Sequence, residues 1–289
     1  MGVVGTWRVP GYDEVRELSS GSQGRTVLVR HHSSGKPYVI KYLTSTNPAT
    51  RRRFEEESSL IQQIFSPYVA RWYGHLDQGP VAAILLEAVD GVPLRDVLTW
   101  HGHLSPEAAL AVLKRSLLGL QEAHSRGIVH RDCKPANIVV RRNGLSKLVG
   151  FGVGTLAGER RHPGTPAYKA PEQWLNASAV PATDVYAVTC VFFECLTGRP
   201  PLGAAKEAHL SEPVPLDHVP EPLHDLVLSG LAKSLLHRPS SAAGFAADLE
   251  RRATSLYGPE WERHGITLLG GLAGSLAPLL PEAEPDPAR

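Results

Sequence analysis

The spacing of apolar positions differs between the two halves of the chain and predicts different secondary structure in each. Leu18–Val29 is predicted to form strand, Gly-rich turn and strand, and the continuous apolar run Val81–Glu87 predicts a buried strand. Between them, residues 50–65 have the amphipathic spacing of a helix. From Leu104 to Ser125, apolar residues recur at helical spacing after a Ser-Pro-Glu start, which predicts a long buried helix. The pattern therefore favours an α+β protein, with a β-rich first part and a mostly helical second part.

A polar loop interrupts the helical part directly after this long helix. His130–Asn137 has the sequence HRDCKPAN, and a predicted hairpin follows, with strands Ile138–Val140 and Lys147–Val149 around an Asn143-Gly144 turn. Loops between regular elements are where a rigid scaffold can hold polar groups in position. An Asp followed by Lys and then Asn at this spacing can orient a hydroxyl, neutralise a phosphate and hold a cation. The loop is therefore the strongest candidate for chemistry in the chain.

Composition and charge exclude several classes of function. The formal net charge of +1 over 289 residues gives no reason to expect a nucleic-acid partner or a broad surface for anionic membranes. Three cysteines and no signal-peptide pattern predict reduced thiols and a cytoplasmic location. The run Ile266–Leu280 is free of charge but shorter than the roughly 20 apolar residues that span a bilayer, so we expect no clear membrane span. A helix docked on the rest of the protein or in a dimer fits it better.

The order H-R-D-x-K-x-x-N is the catalytic-loop pattern of protein kinases, and the chain resembles the bacterial, eukaryotic-like Ser/Thr protein kinases. Lys134 indicates Ser/Thr rather than Tyr acceptors. The resemblance implies a bilobal protein-kinase fold, in which a small antiparallel N-lobe sheet carries one helix and the C-lobe is mostly helical. It also implies three regions, which are an N-lobe with its lead-in at 1–87, a C-lobe at 88–256, and an apolar segment and tail at 257–289.

The resemblance assigns roles to individual residues. Asp132 and Lys134 would be catalytic, and Thr165 in the segment GTPAYKAPE would help to seat a substrate hydroxyl. ATP would be bound by two turn glycines, a strand lysine, a helix glutamate and two backbone positions, namely Gly21, Gly24, Lys41, Glu57, Glu87 and Val89. Without the resemblance, two glycines three apart indicate only a hairpin turn, and a lysine at a strand end is ordinarily solvated.

The chain departs from the family pattern where the metal is bound. Gly150-Phe151-Gly152 stands where the family has Asp-Phe-Gly, so Asn137 is the one metal ligand that remains. A neutral amide alone is a poor Mg²⁺ site because hard cations prefer carboxylates, which makes Mg²⁺ use doubtful. Gly150→Asp is expected to return the missing ligand without backbone strain. Thr26 and Val39 also alter the positions that the family uses to cover adenine.

Two functions from different classes remain open. One is a nucleotide-binding pseudokinase or regulatory module that acts on a protein partner and has weak or lost phosphotransfer. The other is an active Ser/Thr kinase with reduced metal dependence, which would explain why Asp132 and Lys134 are retained. A phosphotransferase of the antibiotic-resistance type is disfavoured, because it would share the loop pattern but lack the segment Gly164–Glu172.

Overall fold

The computed structural model describes residues 7–21, 24–44, 55–56, 58–78, 81–151 and 164–276. The chain divides into two compact units, the first formed mainly by residues up to Val89 and the second by residues from Asp90 onward together with Pro67–Val69. The predicted lobe boundary after residue 87 lies two residues before this division. Glu57 and Gly152, to which the sequence assigned roles, lie outside the described residues.

The first unit contains a five-stranded antiparallel sheet with the strand order β1-β2-β3-β5-β4. Its strands are β1 Tyr12–Gly21, β2 Gly24–His31, β3 Pro37–Thr44, β4 Trp72–Gln78 and β5 Val81–Glu87. The pairing of Gly21 with Gly24 closes the β1–β2 connection, as the Gly-rich turn predicted. Residues 55–56 and 58–61, within the predicted amphipathic helix, are helical.

The two faces of this sheet carry different side chains, because successive residues of a strand point to opposite faces. One face carries a core of small and branched apolar residues with one tyrosine, formed by Val9, Val27, Val29, Ile40, Tyr42 and Ala83. The alternate positions of β2 and β3 place Thr26, Val39 and Lys41 on the opposite face. The lysine and the two altered adenine positions therefore lie on the same face of the sheet.

The second unit is mostly helical. Its helices are α1 Leu94–His101, α2 Pro106–His124, α3 Pro171–Trp174, α4 Pro181–Thr197, α5 Lys206–Ser211, α6 His224–Gly230, α7 Ala242–Tyr257 and α8 Trp261–Leu276. A small antiparallel sheet joins β6 Val92–Pro93, β7 Ile138–Val140 and β8 Ser146–Leu148 in that order. Together with the sheet of the first unit, this composition confirms the α+β class and the predicted contrast between the two parts.

Helices α2 and α4 form the centre of the second unit. Fifteen consecutive residues of α4, from Ala182 to Leu196, are buried, so this mostly apolar helix is surrounded by protein on every side. Helix α2 begins after Ser105, whose side chain accepts a hydrogen bond from the Ala108 amide. It packs against α4, α7 and α8.

Helix α8 contains most of the uncharged run near the end of the chain, through Leu276. It packs mainly against α2, with further contacts to α1 and β7. In the part of the chain that the structure describes, no helix combines the length and apolar character needed to cross a bilayer.

Candidate functional site

The loop His130–Asn137 is held from below by a buried carboxylate on α4. Asp184 is fully buried, and its two oxygens accept hydrogen bonds from the backbone amides of His130 and Arg131, each at 2.7 Å. His124 Nε2 lies 2.8 Å from Asp184 Oδ2. Burial raises the pKa of Asp184, but the hydrogen bond and charge of His124 outweigh it, so this pKa lies below its ordinary value. This buried acid of α4 therefore anchors the loop.

Asp132 lies at the centre of a closed polar cluster. Its Oδ1 accepts hydrogen bonds from Thr165 N at 2.8 Å and Thr165 Oγ1 at 2.9 Å. Its Oδ2 lies 2.7 Å from Lys134 Nζ, which also donates to Thr165 Oγ1 at 2.9 Å. Burial raises the pKa of Asp132, but the hydrogen bond and charge of Lys134 lower this pKa by more. The net shift of the Asp132 pKa is therefore downward. The structure therefore brings together the acid, the lysine and the threonine, and Asp132 is held as a carboxylate.

Asn137 and Gly150 meet at the open end of the hairpin formed by β7 and β8. Val149 N donates to Asn137 O at 2.9 Å, and Asn137 Nδ2 donates to the Asp132 carbonyl at 2.8 Å. Gly150 has φ of +81°, and a Cβ placed on it would lie 2.7 Å from Asn137 Oδ1 and 2.8 Å from Asn137 Cγ. The expectation that the backbone would accept Gly150→Asp without strain is wrong for this conformation, because the Asn137 amide fills the space of the missing side chain.

Phe151 follows Gly150 and is 2% exposed. Its ring packs on the His130 ring with 4.4 Å between centroids, and His130 Nε2 hydrogen-bonds Val149 O at 2.9 Å. The segment after β8 is therefore attached to the first residue of the loop. Among the described residues, no group of three or more His, Cys, Asp and Glu side chains could hold a metal ion.

The segment Gly164–Glu172 is held by a buried ion pair and by hydrogen bonds to the loop. Arg238 Nη1 donates to Glu172 Oε1 at 2.8 Å, with side chains 0% and 6% exposed. Gln173 Nε2 donates to Arg131 O at 3.0 Å. Sequence reasoning missed Gln173, because nothing in local periodicity distinguishes this glutamine from a solvated one.

A second network that sequence reasoning missed joins Arg95 of α1, Tyr168 and Glu194 of α4. Arg95 donates to Glu194 Oε1 at 2.8 Å and to the Tyr168 hydroxyl at 2.6 Å, and that hydroxyl donates to Glu194 Oε2 at 2.6 Å. Burial and the neighbouring Glu194 raise the pKa of Tyr168 well above its ordinary value. The three residues lie far apart in sequence, so no motif or spacing could have identified the network.

The residues assigned to nucleotide belong mostly to the first unit. Lys41 pairs with Thr26 on β2 and with Ile84 on β5, so its backbone lies inside the sheet. Glu87 N donates to Arg71 O at 2.8 Å, and the Glu87 carboxylate accepts from Arg71 N at 3.0 Å. The Glu87 amide is therefore used within the sheet. Val89 follows the end of β5.

Comparison with known proteins agrees with this geometry. Residues 12–242 match the family described as the protein kinase domain. Serine/threonine-protein kinase PknH of Mycobacterium tuberculosis is 28% identical over 96% of this chain and 46% of that protein. Serine/threonine-protein kinase PknB of Mycolicibacterium smegmatis is 31% identical over 81% of this chain and 41% of its own length.

The chain thus spans less than half the length of these relatives. Family membership implies the use of ATP, typically with Mg²⁺. Because the family match extends over most of the sequence and the hydrogen-bonded loop has the family's residues in its order, the chain belongs to the bacterial, eukaryotic-like Ser/Thr protein kinases.

Proposed function

We propose that this chain is a nucleotide-binding pseudokinase or regulatory module whose phosphotransfer is weak or lost. The observation that carries the proposal is the pair Asn137 and Gly150. Position 150 offers no carboxylate, and the Asn137 amide occupies the place where a side chain would begin. In the family's mechanism the metal ions neutralise charge on the transferring phosphate, so the loss of a ligand weakens the largest electrostatic contribution.

The residues that remain do not fit the metal site that the family implies. Asn137 Nδ2 is engaged with the Asp132 carbonyl, and the Asp132 carboxylate is engaged with Thr165 and Lys134. A hard divalent cation prefers several carboxylate or carbonyl oxygens, and one amide oxygen beside a glycine is a poor substitute. We therefore propose that ATP binding depends weakly on Mg²⁺.

ATP would be bound through Lys41, which meets the phosphates, and through backbone groups at Glu87 and Val89, while Gly21 and Gly24 let the turn approach the phosphates closely. None of these groups requires a metal. Glu57 is the proposed partner of Lys41. The relatives are named Ser/Thr-protein kinases, so we propose a protein partner that presents a hydroxyl near Asp132 and Thr165, in the cytoplasm.

The alternative is a slow but active kinase with reduced metal dependence. It is supported by the cluster of Asp132, Lys134 and Thr165, which has short hydrogen bonds throughout. An acid in this position can orient an acceptor hydroxyl, and the adjacent lysine can neutralise a phosphate oxygen. A chain without any transfer would have no chemical need for this arrangement.

The test combines nucleotide binding with turnover. ATP affinity is measured by calorimetry with Mg²⁺, with Mn²⁺ and with chelator, and phosphate transfer to a generic basic acceptor is measured under the same conditions. We expect wild type to bind ATP with affinities that differ by less than about threefold between magnesium and chelator. Transfer should be at least about 10²-fold below that of Gly150→Asp.

Gly150→Asp supplies the carboxylate, and Asp tolerates a positive φ better than most residues. It should make ATP binding depend on Mg²⁺, at a cost in stability without metal because Asn137 must turn away. Gly127→Asp is the matched control, because Gly127 also has a positive φ, +73°, but would have no atom near its Cβ. A wild type that gains affinity strongly with Mg²⁺, or transfers phosphate as fast as Gly150→Asp, would refute the proposal.

A further inference from the structure

Helix α8 lies directly against the turn of the β7–β8 hairpin. A Cβ on Gly144 in that turn would overlap the carbonyl oxygen of Ile266 on α8 and would lie 3.0 Å from Gly270 N. On the helix side, a Cβ on Gly270 would lie 3.0 Å from both Arg142 O and Gly144 N. Glycine on both surfaces is what permits the two backbones to approach so closely.

The helix is also attached to α2 by small residues and by charge. A Cβ on Gly265 would overlap the Glu107 carbonyl at the start of α2. Lys114 of α2 donates to Glu250 of α7 and Glu262 of α8, both at 2.6 Å. Trp261 is 1% exposed. These contacts fix the position of α8 along α2. The helix is therefore held firmly where it meets the hairpin turn.

The other end of the hairpin carries Asn137 and Gly150, which together form what we call the metal half of the candidate site. Asn137 immediately precedes β7, and Gly150 lies two residues after the end of β8. The strands are joined by three residue pairs, from Val140–Ser146 to Ile138–Leu148. At about 3.4 Å per residue, the five residues from Asn137 to Arg142 in the turn span at most about 17 Å. A displacement of the turn would therefore be transmitted to Asn137 and Gly150 through the hydrogen bonds that pair β7 with β8.

We propose that α8 is a positioning element for Asn137 and Gly150, and that Gly144 and Gly270 are the residues through which it acts. The helix begins at Trp261, beyond the residues 12–242 that match the kinase domain family. It acts on the back of the hairpin, while Arg115 Nε, which donates to Ser146 O at 3.2 Å, holds the hairpin from α2. Anything that shifts α8 should therefore change the orientation of the Asn137 amide.

Adjacent glycines on α8 provide a matched pair of variants. Gly270→Val places a branched side chain against the hairpin turn, whereas a Cβ on Gly271 meets no atom within 4 Å. Both changes carry the same helix-propensity cost, so their difference isolates the contact with the hairpin. Hydrogen exchange followed by mass spectrometry on the full chain measures the protection of residues 137–150, with α5 as an internal reference.

We expect Gly270→Val to raise exchange at 137–150 by about fivefold or more relative to Gly271→Val, with α5 unchanged. In the Gly150→Asp background, the Mg²⁺ dependence of ATP affinity should change by a similar factor, a readout that rests on the proposed function. Equal exchange in the two variants, or an increase shared by α5, overturns the inference. If Gly270→Val does not fold, Gly270→Ala and Gly271→Ala replace the pair and are judged in the same way.

The two proposals fail separately. A wild-type chain that binds no ATP refutes the proposed function, while the exchange at 137–150 still decides the role of α8. If the chain binds ATP but the two variants show identical hydrogen exchange, the proposed function stands and the inference about α8 is refuted.

Discussion

The two halves of the candidate site, both in the second unit, differ in how their polar groups are used. In the acid half, Asp132, Lys134 and Thr165 satisfy one another through four contacts of 2.7 to 2.9 Å. In the metal half, Gly150 has no side chain, and the Asn137 amide turns toward the space left by it. The comparison shows that a loop can keep a closed hydrogen-bonded cluster of charged and polar side chains while the adjacent hairpin end has no carboxylate.

The two halves differ because different groups hold them in place. The acid half is anchored by Asp184 and by backbone amides, which need no ligand to remain in place. A metal half with a carboxylate at position 150 would carry uncompensated negative charge without its cation, whereas an amide beside a glycine is neutral. We therefore expect the stability of the hairpin end to be independent of Mg²⁺.

The largest expected effect comes from removing the anchor of the acid half. Asp184→Ala leaves the buried amides of His130 and Arg131 without their acceptor, and we expect a loss of about 3–5 kcal/mol in the free energy of unfolding. Urea denaturation measures it. Asp217→Ala, at an exposed acid, is the control and should change stability little. A loss below about 1 kcal/mol would mean that the loop does not depend on Asp184.

The next effect tests the metal half. Gly150→Ala should destabilise the protein by about 2–3 kcal/mol, of which about 1 comes from the positive φ and the rest from displacing the Asn137 amide. Gly127→Ala has a similar φ, +73°, with open space around the added methyl, and should cost only the first part. Thermal denaturation measures both variants. If Gly150→Ala and Gly127→Ala lose the same stability, Asn137 moves away at no cost and does not fill the space at position 150.

A smaller effect on stability should be confined to the acid half and leave the metal half unchanged. Thr165→Val keeps the backbone hydrogen bond to Asp132 but removes the hydroxyl that bridges the acid and Lys134, with an expected loss of about 1 kcal/mol. Thr165→Ser keeps the hydroxyl and should lose less than half of that. Asn137 Nδ2 bonds the Asp132 carbonyl and lies 3.4 Å from Asp132 Oδ2, whereas the Thr165 hydroxyl bonds Oδ1. The orientation of Asn137 should therefore be unchanged, which amide NMR chemical shifts at Asn137 can check.

The smallest effect concerns pH. The pKa of Asp132 is lower in the folded protein than its ordinary value of about 3.9, so the ionised carboxylate stabilises the fold above that value. This contribution should be lost as the pH falls through the lower, folded-state pKa. The stability difference between wild type and Asp132→Asn should therefore shrink at acid pH, measured by denaturation between about pH 3 and 7. For Gly150→Ala, where no group titrates, the difference should remain constant.

Much of the fold could be predicted because its signals are local. The run Val81–Glu87 is a strand with the predicted bounds, and the hairpin around Asn143-Gly144 forms with its second strand shifted by one residue, at Ser146–Leu148. The predicted helix 104–125 is α2, Pro106–His124. Capping residues, turn residues and periodicity act over a few positions, so they can be recognised in the sequence without knowledge of distant contacts.

By itself the sequence determined which chemical groups exist. The order H-R-D-x-K-x-x-N requires an acid, a lysine and an amide on one loop, and Gly150 excludes a carboxylate at the hairpin end. Only the tertiary structure decided that the Asn137 amide fills the space at Gly150, that Glu194 joins Arg95 and Tyr168, and that α8 packs on Gly144. The reason is that each of these depends on backbones brought together from distant parts of the chain, where close packing leaves space for one arrangement of side chains.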